Sequence, residues 1–330
     1  MKSLPILLTT IAALLNTAAF ADDLKIGIIG LDTSHCTEFT KILNDATVPN
    51  HVAGGKVVAA FKSFSPDIES SASRVEEYTT TLHDKYGVEM VPTIEELCKK
   101  VDVVMIESVD GRPHLEQAKP VIAAKKRVFI DKPVGGTLHD AIEIFRLAKE
   151  AGVPVFSSSV YRYYPSLVEL KKAPIGDLRS AISYGPAHLE PHHPDLYWYG
   201  VHPTEALYTI MGTGCESVVR VSTPDTDTVV GTWSGGRTGI LHGLRTKTLP
   251  HQVTVFGTTG YAVQKNEPHD YAPLVREIMQ FFQTGVSPVP AEETLEMFAF
   301  MEAADESKRQ GGVPVKLSDV MKAAEKPASK

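Results

Sequence analysis

The chain has 330 residues, with 33 Lys or Arg against 40 Asp or Glu and a formal net charge of −7. That length suits two domains, each able to bury its own core, and the lack of any dense basic run removes the electrostatic footprint of a nucleic-acid binder. Three scattered cysteines, Cys36, Cys98 and Cys215, exclude a disulfide framework and a four-cysteine zinc site.

In chain order, Met1 to Ala21 reads as a cleavable secretory signal. Lys2 supplies the positive start, Leu4 to Leu15 is apolar but too short to span a bilayer, and Ala19-Phe20-Ala21 gives the small-x-small cleavage pattern. No cysteine marks a lipid anchor there and no Arg-Arg pair marks export of a folded protein. The expectation is a protein exported by the general secretory route, periplasmic or secreted, with an uncleaved anchor as the alternative. No later segment is apolar enough to cross a membrane.

From residue 22 to 157 short apolar runs alternate with amphipathic stretches. Strands are expected at Leu24 to Ile29, Val57 to Phe61, Val103 to Ile106, Val128 to Ile130 and Val153 to Ser157. Helices are expected at His35 to Leu43, Ser70 to Lys85, His114 to Ala124 and Leu138 to Ala151. This rhythm predicts an α/β domain of Rossmann type, a doubly wound parallel sheet with its ligand at the carboxyl ends of the strands. From 158 to 330 the pattern changes to successive half-exposed strands, Leu178 to Tyr184, Ser217 to Val221, Thr228 to Trp233, Thr238 to Arg245 and Val253 to Gly257. Helices are expected at Val201 to Met211, Tyr271 to Thr284 and Ala291 to Gln310. That predicts an α+β domain with an open, mostly antiparallel sheet.

The glycine turn at Gly30, then Val103-Val104-Met105-Ile106 followed by Arg112-Pro113-His114, then Phe129-Ile130-Asp131-Lys132-Pro133 resemble the Gfo/Idh/MocA (glucose–fructose oxidoreductase/inositol dehydrogenase) family. The match continues through Pro174-Ile175-Gly176, His202 ahead of an apolar helix, and Val255-Phe256-Gly257-Thr258-Thr259-Gly260. The resemblance implies an enzyme that binds NAD or NADP and oxidises or reduces a sugar, polyol or related carbonyl compound. It implies a homo-oligomer built on the open sheet. It places the cofactor against Gly30, Asp32, Thr33, Ser34, His35, Lys62, Glu107, His114, Asp131 and Pro133, and catalysis on Lys132 and His202.

Three departures from the family pattern bear on that expectation. A dinucleotide turn needs Gly-x-Gly-x-x-Gly, so that backbone can approach the pyrophosphate and the helix can pack closely. Here it is Gly30-Leu31-Asp32-Thr33-Ser34-His35. Asp32 sets a carboxylate against an anionic ligand, or alternatively caps the next helix. After the second strand an acidic residue would take the ribose hydroxyls; Lys62 stands near there instead, suited to the 2′-phosphate of NADP or simply solvated. The aspartate expected four residues before His202 is Trp198, which leaves Asp195 or Glu205 as candidate partners of that histidine. A general-base histidine beside a lysine that holds a substrate hydroxyl is the acid–base arrangement this chemistry needs.

Arg162, Tyr197, Trp198 and Tyr199 are candidate substrate contacts, since flat sugar faces pack on aromatic rings; packing at a helix start accounts equally well for the three aromatics. The run His188-x-Glu190-x-His192-His193 is rich in donors for a divalent metal such as zinc, although without a standard spacing. His51, His83, His139, His242, His251 and His269 are taken as structural or surface residues. Export of an unfolded chain cannot carry a prebound nucleotide, and the damaged fingerprint points the same way. Three functions follow: a sugar- or polyol-directed NAD(P)-dependent oxidoreductase; a non-redox hydrolase or lyase using a metal or acid–base residues in the same cleft; and a non-catalytic carbohydrate-binding protein.

Overall fold

The computed structural model describes residues 23–246 and 249–326, so the expected secretory signal lies outside the described residues. The first half contains β1 (Leu24–Ile29), α1 (Ser34–Asn44), β2 (Gly55–Phe61), α2 (Glu69–Ala72), α3 (Val75–Thr80), β3 (Glu89–Val91), α4 (Ile94–Lys100) and β4 (Val103–Ile106). After them come α5 (His114–Ala123), β5 (Arg127–Asp131), α6 (Leu138–Ala151) and β6 (Val155–Ser158). The six strands form one parallel sheet in the order β3-β2-β1-β4-β5-β6. Helices cover both faces, which is why β4 reads Val-Val-Met-Ile and is buried throughout. The chain runs outward in opposite directions from β1 and β4, so the loops after these two strands diverge and leave a crevice at their carboxyl ends.

Local chemistry sets the boundaries. Thr33 caps α1, accepting the His35 N–H at 3.4 Å, and Gly152, with φ +65°, ends α6 in the left-handed region. Gly30 is required twice over. Its φ is +91°, and a Cβ there would lie 2.3 Å from the Ser108 backbone nitrogen. The single helix expected over Ser70 to Lys85 is instead α2, α3 and a π-helical turn (Thr81–Lys85). Its start is rich in serine, and the Ser71 hydroxyl is committed to tertiary partners rather than to its own helix. The short β3 and α4 were not foreseen, being too brief to carry a periodic signal.

The second half contains α7 (Pro165–Leu170), β7 (Leu178–Pro186), α8 (Asp195–Trp198), α9 (Val201–Met211), β8 (Cys215–Ser222), β9 (Thr226–Trp233), β10 (Arg237–Leu244) and β11 (Gln252–Gly257). It closes with β12 (Tyr261–Val263), α10 (Ala272–Thr284), α11 (Ala291–Arg309), β13 (Val315–Lys316) and α12 (Leu317–Ala324). Its strands form a seven-stranded sheet, β12-β11-β7-β10-β9-β8-β13. Only the β7–β10 pair is parallel. Helix α9 packs on β7 and β10, and α11 packs on β8, burying Tyr208, Trp233 and Phe300 between them. The opposite face is uncovered, with Val221 and Val230 exposed on it.

Candidate active site

A cleft of about 580 Å³ lies where the carboxyl ends of β1 and β5 meet the start of α9 and the 250–271 segment. Lys132 and His202 form its core. Lys132 follows β5, joined to Pro133 by a cis peptide bond. The residue lines the cleft and is 8% exposed. His202 sits in the first turn of α9, 5% exposed, with Nδ1 2.8 Å from the Ser159 hydroxyl. Burial first, and then the positive charge of Lys132, hold the His202 pKa well below the ordinary histidine range. The ring is therefore neutral at physiological pH and free to accept a proton.

Rings surround the pair. Tyr161 and Tyr199 meet His202 edge-on at centroid distances of 5.2 and 4.8 Å. His188 packs on Tyr199 at 4.0 Å, and His251 on Tyr161 at 4.0 Å. Burial pushes His251 down to about 3. His269, in contact with the Tyr164 hydroxyl, completes this wall. The expectation that His251 and His269 are structural or surface residues is corrected: both line the cleft. No local motif marks them, because they arrive on two separate segments, one before β11 and one before α10, both distant in sequence from His202.

Under the floor lies a charged cluster. His35, in the first turn of α1, places Nδ1 2.7 Å from Asp131 Oδ2. Glu107, directly after β4, is fully buried, and neither of its carboxylate oxygens has a hydrogen-bond partner; nor has Asp131 Oδ1. Burial and the neighbouring Asp131 charge drive the Glu107 pKa well up. Burial would raise Asp131 too, but His35 and Lys132 outweigh it and hold Asp131 low. Asp131 is thus the ionised partner of the two.

Beside this cluster the turn after β1, whose Thr33, Ser34 and His35 line the cleft with Val109, is tied to its neighbours. Asp32 is 0% exposed. Its carboxylate accepts the Val109 N–H at 3.0 Å and the Ser71 hydroxyl at 2.6 Å, joining the turn after β1 to the loop after β4 and to α2. Three further links join the loop after β2 to the loop after β4 and to α5: Gln117 of α5 to Ser63 at 3.0 Å, Ser65 to Asp110 at 2.5 Å, and Arg112 to Asp67 in a two-bond fork at 2.8 and 2.9 Å. The helix-capping alternative for Asp32 is corrected, since Thr33 is the cap.

Other expected site residues sit elsewhere. Lys62 pairs at the surface with Glu76. Both ring nitrogens of His114 face backbone carbonyls, those of Pro133 at 2.9 Å and Ser108 at 3.0 Å, so it braces two loops from within. Asp195 does not orient His202: it binds Arg220 at 3.0 Å and Lys308 at 2.6 Å. Glu205 does not either. It is buried against Arg162 at 2.5 Å and Ser158 at 2.8 Å, and Arg162 also holds Glu293, so Arg162 is a structural cation rather than a substrate contact. Ser159 is the residue that positions His202. Of the three aromatics, only Tyr199 reaches the cleft. Tyr197 donates its hydroxyl to the Phe298 carbonyl at 3.1 Å in the core, and Trp198 packs on His193.

The expected metal run does not converge. His188 stands on Tyr199, Glu190 and His192 pair with each other at 2.8 Å, and His193 accepts the Gly111 N–H at 3.3 Å. Strand-like spacing in a loop sends neighbouring side chains in different directions. Among the described residues the one group with metal-ligand spacing is His35, Glu107 and Asp131.

Residues 24–159 match the Gfo/Idh/MocA family, described as an oxidoreductase family with an NAD-binding Rossmann fold. No curated protein matches the chain. Over its length the fold is similar to that of a probable dehydrogenase from Thermotoga maritima, with 20% identity, a TM-score of 0.73, and 90% of this chain and 100% of that chain covered. It is similar to scyllo-inositol dehydrogenase from Lactobacillus casei (17%, 0.73, 90% and 98%). An oxidoreductase from Agrobacterium radiobacter, solved with NAD+, L-tartaric acid and magnesium, is similar as well (16%, 0.73, 90% and 99%).

The family implies a nicotinamide dinucleotide, and the residues of this crevice do not fit one. The position of the second fingerprint glycine must present open backbone to the pyrophosphate. Here Asp32 fills it, fully buried, with its carboxylate bonded to the Val109 N–H at 3.0 Å, so a carboxylate stands where an anionic pyrophosphate would need bare backbone. The position of the third glycine carries the His35 ring, which is committed to Asp131.

Proposed function

We propose that this chain, whose first domain matches an oxidoreductase family, is an enzyme for a small polyhydroxylated substrate of the sugar or polyol class, working by proton transfer in the Lys132–His202 cleft without a resident dinucleotide. One observation carries the reading: a neutral, Ser159-positioned imidazole stands with a buried ammonium in a cleft walled by Tyr161, Tyr199 and His251. His202 Nε2 takes the proton from the substrate. The Lys132 ammonium offsets the negative charge that develops, an interaction strengthened by its shielding from water. The aromatic and imidazole wall supplies flat faces and hydrogen-bonding edges suited to hydroxyl-rich rings. This is lyase-type acid–base chemistry: the electron pair freed from the C–H bond forms a double bond as the neighbouring oxygen leaves, taking a proton from the Lys132 ammonium.

NAD(P)-dependent oxidation is the second reading, favoured by the family match over residues 24–159; it requires the loops tied through Asp32 to part. Titration of NADH and NADPH, followed by nicotinamide fluorescence, separates the two. The first reading expects no saturation below about 1 mM. Micromolar binding would overturn it and establish the second.

We also infer that the chain is exported, from the pattern of Met1 to Ala21; N-terminal sequencing of the mature protein should start at Asp22. The uncovered face of the second sheet, with Val221, Val230 and Phe256 exposed, supports self-association there.

A further inference from the structure

Two buried carboxylates side by side need an explanation. Glu107 is 0% exposed with both oxygens unpartnered, Asp131 is 0% exposed with one oxygen unpartnered, and His35 Nδ1 faces them. Three strand ends bring them together: His35 follows the turn after β1, Glu107 comes directly after β4, and Asp131 ends β5. One ligand atom from each lies within 4.8 Å of the other two. A buried carboxylate without a donor or a cation is costly. Lys132, outside the cluster, lies near enough to favour the charged form of both carboxylates, and its backbone N–H bonds Asp131, but its side chain forms no ion pair with either among the described residues and lines the cleft.

We propose that His35, Glu107 and Asp131 form a binding site for one divalent first-row transition-metal ion at the floor of the cleft. One imidazole nitrogen and two carboxylates make a donor set for zinc- or manganese-class ions. Metal–ligand distances near 2.0–2.2 Å require donor separations of roughly 3–4 Å, so small side-chain rotations close the site. The unpartnered oxygens of Glu107 and Asp131 become ligands, and a bound dication offsets their charge. The three protein donors leave further coordination positions, and because His35 and Lys132 both line the cleft, those positions face the substrate. The site occupies what the dinucleotide fingerprint would otherwise leave open: His35 stands at the third glycine position.

This inference rests on the proposed function only for the use of the ion, and its test reads binding rather than turnover. The mature protein, purified without chelator, is assayed for metal by mass spectrometry, then stripped and titrated with Zn(II) and Mn(II) by calorimetry. One equivalent is expected, and Glu107→Gln, nearly isosteric, should weaken it by roughly 100-fold or more. No retained metal together with no binding up to about 1 mM overturns the site. Unchanged affinity in Glu107→Gln overturns it as well, because the ion then sits elsewhere, for instance on Glu190 and His192. Should that variant fail to fold, anomalous diffraction from the Mn(II)-loaded wild type decides: density between His35 and Asp131 supports the site, and density elsewhere refutes it. A bound ion in a protein with no acid–base turnover would sink the proposed function and leave this inference standing.

Discussion

Lys132 and His202 were legible as a pair because each sits in a distinctive local context, the lysine before a proline after a buried strand and the histidine before an apolar helix. Their protonation states were not. The neutrality of His202 follows from burial and from the Lys132 charge, both products of folding. Lys132→Met and His202→Asn should each lower kcat by about 10²–10⁴-fold while leaving the thermal midpoint nearly unchanged. Wild-type turnover in either would remove that residue from the mechanism. Because the His202 pKa is held well below the ordinary range, the wild-type rate should show no acid limb around pH 6.5 from this group. The partners expected for His202 were wrong for a simple reason. Asp195 and Glu205 are near it in sequence, but on a helical path their side chains turn toward Arg220 and Arg162 instead, while Ser159 comes from the end of a distant strand.

At the scale of elements, the informative feature is the latch between the loops after β1, β2 and β4. Asp32 was recognisable in the sequence as an intrusion into a glycine turn; that it reaches Val109 and Ser71 was not, because those partners lie 77 and 39 residues away. Burial raises the Asp32 pKa to about 6, against the lowering effect of its two hydrogen bonds. The folded chain therefore prefers this carboxyl protonated. Between pH 4 and 6 the folded state binds the proton that the unfolded chain has released, so stability from this group falls as pH rises and is lost above about 6. Asp32→Asn retains an acceptor for the Val109 N–H and carries no charge. It should raise stability at pH 7 by about 1–3 kcal/mol and flatten the dependence between pH 4 and 6, as read from urea midpoints. A variant less stable at pH 7 would show that the ionised carboxylate strengthens the latch. The same region explains why one long expected helix became α2, α3 and a π turn: serine hydroxyls were drawn into these loop-to-loop bonds.

At the scale of the molecule, the second sheet covers one face with α9 and α11 and leaves the other bare. Val221 is 63% exposed on that face and Phe256 37%, in a sheet whose central strands are otherwise well packed. Light scattering should find a dimer or larger assembly, and Val221→Glu with Phe256→Glu should convert it to monomers. A monomeric wild type would refute self-association through this face.

What the sequence determined by itself was the architecture. Alternation of apolar runs with amphipathic stretches predicts a parallel sheet, the later period-two pattern predicts a second sheet, and the order of short motifs points to the family, because burial periodicity is local information. The tertiary structure alone decided the chemistry of the site. His35, Glu107 and Asp131 are separated by 72 and 24 residues and meet only because β1, β4 and β5 are neighbours in the sheet. His251 and His269 turn from unremarkable loop residues into cleft walls in the same way. Whether a buried charge has a partner depends on which chain segments pack around it, and no spacing along the sequence records that.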